Sequence, residues 1–105
     1  MIKDLAAIKE KEEYKGYKGK FINSQKMTVA YWEIKKDSVL PEHSHPQEQI
    51  ANIIKGKYLL IIGTNNKVLE PGNVAIIPPN TVHSGRAITN CSIIDVFSPP
   101  RDEKK

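Results

Sequence analysis

Two histidines one residue apart, His43 and His45, lie in the run Pro41-Glu-His-Ser-His-Pro-Gln-Glu-Gln49, which Gly56 closes seven residues later. Residues two apart do not share a helix face, but a strand sends alternate side chains to one side, so these imidazoles converge if the chain is extended. Gln49 has the same odd parity and turns inward with them, whereas Glu48 looks the other way. The third histidine, His83, stands far along the chain between turn signals and another β-like run. Three imidazoles and one oxygen donor form a ligand set for a divalent transition metal: His43, His45, Gln49 and His83.

A second candidate is Asp95, in the middle of the apolar run Cys91-Ser-Ile-Ile-Asp-Val-Phe97. An unpaired ionised carboxylate there would be strongly destabilising, so Asp95 needs a partner or an abnormal titration. Ile93, Asp95 and Phe97 share one face, and Ile94 and Val96 the other. If the odd face looks inward, Asp95 comes within reach of a metal-bound ligand and becomes a general acid/base. The structural alternative is a carboxylate bonded to the main chain or to Arg101.

Sixteen basic residues include only two arginines, Arg86 and Arg101, both after His83. Arginine is the side chain suited to gripping a carboxylate through two hydrogen bonds, so their placement bears on anion binding. Arg86 is read equally as a pocket residue or a solvated edge residue. The net charge of +4 comes from scattered lysines without a basic stripe interleaved with aromatics, which argues against nucleic acid. No apolar run approaches a membrane span, and the N-terminus lacks the apolar stretch of a signal peptide. The single cysteine, Cys91, excludes an internal disulfide and fits a reducing compartment, so a soluble cytoplasmic protein is expected. Its parity with Asp95 notwithstanding, a lone thiol in an apolar strand is read as packing.

At 105 residues the chain is read as one domain: an N-terminal arm over 1–16, a β core over 17–98 and a C-terminal tail over 99–105. Strands are expected at Tyr17–Ile22, Met27–Ile34, Val39 into the histidine pair, Gln49–Ile54, Tyr58–Ile62, Lys67–Glu70, Val74–Ile77 and Cys91–Phe97. Tyr58–Ile62 reads as buried on both faces. Gly63–Asn66, Pro71-Gly72 and Pro78-Pro79-Asn80 supply turns, the last of them presenting His83. Tyr31 and Trp32 point to opposite faces of one strand, and a core role is expected for either. Short strands at regular spacing, with no convincing helix, indicate an all-β sandwich or barrel.

The spacing His43-x-His45-x3-Gln49-x6-Gly56, followed by Gly72-x5-Pro78-x-Asn80-x2-His83, resembles the two signature motifs of the cupin superfamily. The resemblance implies a single-domain double-stranded β-helix (jelly roll) with a divalent metal inside. Asp37 and Asn80 stand where the motifs have glycine, and both residue types accept left-handed backbone. Gln49 stands where many members have glutamate, which leaves a bound divalent ion with two net positive charges instead of one and favours an anionic ligand.

More narrowly, Asp95-x-Phe-Ser-Pro-Pro-Arg101 together with His-Ser-His-Pro-x-Glu-Gln resembles the small cupins of the pectin-degradation type. These convert 4,5-unsaturated uronates to linear ketouronates. That resemblance implies Asp95 as the proton-transferring residue, Phe97 as a pocket wall, Arg101 as the anchor of the sugar carboxylate, and a homodimer, for which exposed edge strands would give reason. Metal identity among nickel, zinc, iron, manganese and copper stays open. Two other functions stay open on the same residues: an iron-dependent cupin dioxygenase, distinguished by oxygen uptake, and a non-enzymatic metal-dependent sensor, distinguished by absence of turnover.

Overall fold

The computed structural model describes residues 1–101. Of the expected C-terminal tail, residues 102–105 lie outside the described residues. After a short 3-10 turn at Leu5–Ala7, ten strands follow in order: β1 Lys11–Tyr14, β2 Tyr17–Asn23, β3 Thr28–Ile34, β4 Val39–His43, β5 Glu48–Lys55, β6 Tyr58–Ile62, β7 Asn65–Leu69, β8 Val74–Ile77, β9 His83–Ala87 and β10 Cys91–Ser98. They form a six-stranded sheet, β1-β2-β3-β10-β5-β8, and a four-stranded sheet, β4-β9-β6-β7. Every pairing is antiparallel, and the sheets face each other as the all-β jelly roll that the turn-punctuated strands predict. No helix among the described residues is long and apolar enough to cross a membrane.

Strand alternation builds the interior. On β3, Thr28, Ala30, Trp32 and Ile34 are buried, and on β10 so are Cys91, Ile93, Asp95 and Phe97, while the residues between them face outward. Tyr17 and Tyr58 meet from opposite sheets through their hydroxyls, 2.9 Å apart. Trp32 is in the core as expected, and Tyr31, on the other face of β3, is only partly buried.

The structure departs from the sequence reading in four places. The first concerns the N-terminal arm: Lys11–Tyr14 pairs with β2, and the sheet begins at β1, ahead of Tyr17. Its charged Lys-Glu-Glu run is typical of an edge strand and carries no apolar signal. Second, β9 has the composition His-Ser-Gly-Arg-Ala and little intrinsic β preference, yet it is held between β4 and β6. Third, β6 buries Tyr58 and Leu60 but leaves Leu59 and Ile61 partly exposed, so only one of its faces is core. Fourth, the β6–β7 turn is shorter than expected, because Asn65 already pairs with Ile62.

Asp37 and Asn80 adopt φ of 70° and 61°, the left-handed backbone anticipated at these positions. Gly56 has φ of 89°, and a Cβ there would lie 2.1 Å from the Asn90 carbonyl oxygen. Since that oxygen belongs to the main chain, it has little room to move aside. Gly56→Ala is therefore expected to destabilise the fold by about 2 kcal/mol or more. In calorimetry this corresponds to a drop in Tm of roughly 10 °C.

Candidate metal centre and its pocket

His43 ends β4 and His83 begins β9, and the two are direct cross-strand partners. His45 follows in the link from β4 to β5, and Gln49 is buried near the start of β5. The ring centroids of His43 and His83 are 4.3 Å apart, those of His45 and His83 5.1 Å, and those of His43 and His45 5.6 Å. One nitrogen from each ring lies within 4.8 Å of the other two. The three imidazoles and the glutamine thus meet as expected, but not along one extended strand: β4 ends at His43, the chain crosses between the sheets through His45, and Gln49 comes from β5 of the six-stranded sheet.

The rings are oriented by the main chain. Nδ1 of His43 lies 2.8 Å from the Pro41 carbonyl, Nδ1 of His45 3.0 Å from that of Gln47, and Nδ1 of His83 2.8 Å from that of Thr81. A carbonyl only accepts, so each Nδ1 carries the proton and each Nε2 keeps its lone pair for a metal. Nε2 of His83 is buried without a hydrogen-bond partner. His45 Nε2 and Gln49 Oε1 are 3.1 Å apart. In this tautomer both are lone-pair donors, and about 3 Å is the spacing of two ligands bonded at about 2.1 Å to one ion near a right angle. The donor set therefore fits a divalent ion, which would also satisfy the orphaned Nε2 of His83.

Burial lowers the pKa of His45 and His83 below the ordinary 6.5, and the neighbouring imidazoles push in the same direction. Protonation at Nε2 blocks coordination, so metal affinity is lost as pH falls. The lowered values keep these two nitrogens available down through the usual histidine range. Titration against a competing chelator is expected to show nearly constant affinity from pH 8 to about 6.5. It should fall only further down, where His45 and His83 take up protons, and steepen there towards about tenfold per pH unit for each of these two imidazoles.

Asp95 lines the same cavity from the six-stranded sheet, one strand over from Gln49 and across from His43 and His83. Its strand neighbours are Ala30 on β3 and Ala51 on β5, two small residues that leave space beside the carboxylate. Trp32 Nε1 donates to Oδ2 at 3.0 Å, while Oδ1 is buried without a hydrogen bond. The hydrogen-bonding neighbours of this carboxylate are the indole and the Gln49 amide, with Arg101 acting only through its charge and the main chain not at all. Burial pushes its pKa up to about 6, with Gln49, Trp32 and Arg101 drawing it partly back.

Phe97 sits edge-on against His45 at 5.6 Å. The Arg101 guanidinium packs 5.0 Å from the Phe97 ring and 5.1 Å from that of Phe21 and donates to Glu13 on β1. His43, His45, Gln49, His83, Asp95, Phe97, Arg101 and Glu13 all line one cavity of about 300 Å³. Arg86 is exposed, paired with Asp37 at 3.3 Å, and does not line it. Cys91 is buried and its thiol is pushed up in pKa by burial, as packing requires. Sequence reasoning missed Glu13, Phe21 and the Trp32–Asp95 bond. Phe21 had a visible signal, an aromatic at the inward parity of β2, but the other contacts depend on strand register.

A family described as the cupin domain matches residues 30–97. Among curated proteins none matches the sequence. Among solved structures, an RmlC-like cupin from Shewanella frigidimarina is similar over 97% of this chain and 93% of its own, with 20% identity and a TM-score of 0.90. KdgF from a Halomonas species is similar over 92% and 93%, with 22% identity and a TM-score of 0.85. Oxalate decarboxylase of Bacillus subtilis, a protein with Mn(II) centres, is similar over 94% of this chain but 30% of its own, with 15% identity and a TM-score of 0.82.

Proposed function

The chain belongs to the cupin domain family, and from that premise we propose that it is a metal-dependent enzyme converting 4,5-unsaturated uronates to linear ketouronates. The same fold serves an oxalate decarboxylase, so the reaction is inferred from the pocket and from the Asp-x-Phe-Ser-Pro-Pro-Arg run, not from the fold. The observation that carries the reading is Asp95. A buried carboxyl with one unpartnered oxygen and a pKa near 6 shares a cavity with a metal-ligand cluster and an arginine.

Ring opening of such a uronate is an isomerisation. One proton leaves the anomeric hydroxyl, the C1–O5 bond breaks to give an aldehyde and an enolate, and one proton arrives at C4 as the enolate becomes a ketone. No oxidant or water is consumed. Asp95, with a pKa close to neutrality, can take the first proton as carboxylate and return one to C4 as carboxylic acid. The Trp32 indole holds Oδ2, so proton traffic falls to Oδ1. Arg101 anchors the sugar carboxylate, and Phe97, fixed between His45 and the guanidinium, walls the pocket at the size of a monosaccharide. A divalent ion held by His43, His45, Gln49 and His83 would act as a Lewis acid on a sugar oxygen.

The test follows the absorbance of the conjugated double bond of an unsaturated uronate with metal-loaded protein under anaerobic conditions. Loss of absorbance with zinc or nickel is the expected result and excludes the dioxygenase reading. Unchanged absorbance with metal bound would leave a sensor or another substrate.

A homodimer also belongs to this reading, through a sheet face instead of the edge strands. Ile22, Val29, Val96, Ile50 and Ile76 stand side by side across five strands on the outside of the six-stranded sheet, with Ile50 and Ile76 exposed. Light scattering is expected to report a dimer that Ile76→Lys converts to monomer.

A further inference from the structure

The guanidinium of Arg101 already holds a carboxylate, that of Glu13, from the edge strand β1 and 88 residues away in the chain. The two side chains are 22% and 24% exposed, so the pair sits at the mouth of the cavity, partly withdrawn from water. Glu13 is not alone in positioning the arginine. The guanidinium packs against Phe21 and Phe97, the Arg101 amide donates to Thr28 Oγ1 at 2.9 Å, and Gln47 Nε2 donates to the preceding Pro100 carbonyl at 3.2 Å. Aromatic faces and main-chain bonds hold the side chain in place, and Glu13 occupies its hydrogen-bonding edge.

We propose that Glu13 sets which anions this site accepts: its carboxylate occupies Arg101 in the ligand-free protein and is exchanged for the carboxylate of a sugar acid that also reaches the histidine cluster. The proposal rests on the reading of Arg101 as carboxylate anchor. A ligand that brings only a carboxylate exchanges one charged hydrogen bond for another and gains little. One that also contacts the imidazole site gains a second interaction and wins the exchange. Glu13 thereby excludes simple anions from a pocket whose metal and arginine would otherwise attract them, at the cost of weaker binding of the sugar acid.

The experiment measures calorimetric binding of D-galacturonate, a saturated uronate without the 4,5 double bond, to the metal-loaded full chain. Glu13→Gln is expected to tighten binding about tenfold, the order carried by one charged hydrogen bond. Arg101→Gln should weaken it by a similar factor, and the double variant should bind as Arg101→Gln does. Weaker or unchanged binding in Glu13→Gln overturns the exchange and leaves Arg101 as anchor. If Arg101→Gln binds like the unmodified chain, or galacturonate does not bind, the carboxylate-anchor reading fails instead. The exchange fails with it, and whether Glu13 occupies Arg101 at all is decided by a second readout. Phenylglyoxal modifies arginines, and Arg86 is the only other one in the chain, an internal reference. Arg101 should react several-fold faster in Glu13→Gln with Arg86 unchanged, and equal Arg101 rates overturn the proposal.

Discussion

Asp95→Asn is expected to lower turnover of an unsaturated uronate by roughly 10²- to 10⁴-fold, the range attached to a positioned proton donor and acceptor, while metal content is unchanged. Asparagine has the same shape, and its carbonyl still accepts from Trp32 Nε1, so the pocket keeps its geometry. Only the ability to take and return a proton is removed. Metal analysis of the purified variant beside an absorbance assay checks both halves. Retained turnover would remove Asp95 from the chemistry, and lost metal would make it a support of the cluster.

The same substitution has an opposite effect on stability. The folded protein holds Asp95 at a pKa of about 6, above the ordinary 3.8, so it binds that proton more tightly than the unfolded chain does. Ionisation therefore destabilises the fold. The penalty is absent below pH 3.8, grows between 3.8 and about 6, and is level above that. At about 1.4 kcal/mol per pH unit it reaches roughly 2–3 kcal/mol. Metal-free Asp95→Asn is thus expected to be more stable than the unmodified protein at pH 7 and equal to it at pH 3.5, by denaturant titration at the two values. A carboxylate that weakens its own fold is what a functional group, not a structural one, looks like.

His83→Ala is the second change with a large expected effect. It deletes the buried Nε2 and one of three converging imidazoles, and metal affinity should fall by more than the roughly 10- to 100-fold that loss of a supporting residue brings. Turnover falls with it. Binding of an ion at a hundred times its dissociation constant stabilises a fold by about 2.7 kcal/mol. Adding zinc or nickel should therefore raise the Tm of the unmodified protein by roughly 10 °C and leave that of His83→Ala almost unchanged. Calorimetry with and without a chelator makes the comparison, and equal metal-induced shifts in both proteins would exclude His83 as a ligand.

Much of the site was legible before any coordinates. The residue types and spacing of His43, His45 and Gln49 mark them as one cluster, although the chain crosses from one sheet to the other between them, and the inward face of Cys91–Phe97 follows from the two-residue period of a strand. Asp37 and Asn80 were recognisable as left-handed positions because their side-chain type tolerates that backbone. These features are local, and local stereochemistry is written in consecutive residues.

Contacts between strands are another matter. Trp32 and Asp95 are 63 residues apart, and Arg101 and Glu13 are 88 apart, and no composition or periodicity says that they touch. Nor could β1 and β9 be identified alone, since one is charged and the other is polar and glycine-containing. Sequence by itself determined the β class, the inward-facing residues of single strands and the four candidate metal ligands, because side-chain alternation, turn chemistry and motif spacing are written in short stretches of chain. Tertiary structure alone decided what faces Asp95 and what already occupies Arg101. Cross-strand register is selected by packing of the whole barrel, where each strand is stabilised by neighbours that its own residues do not specify.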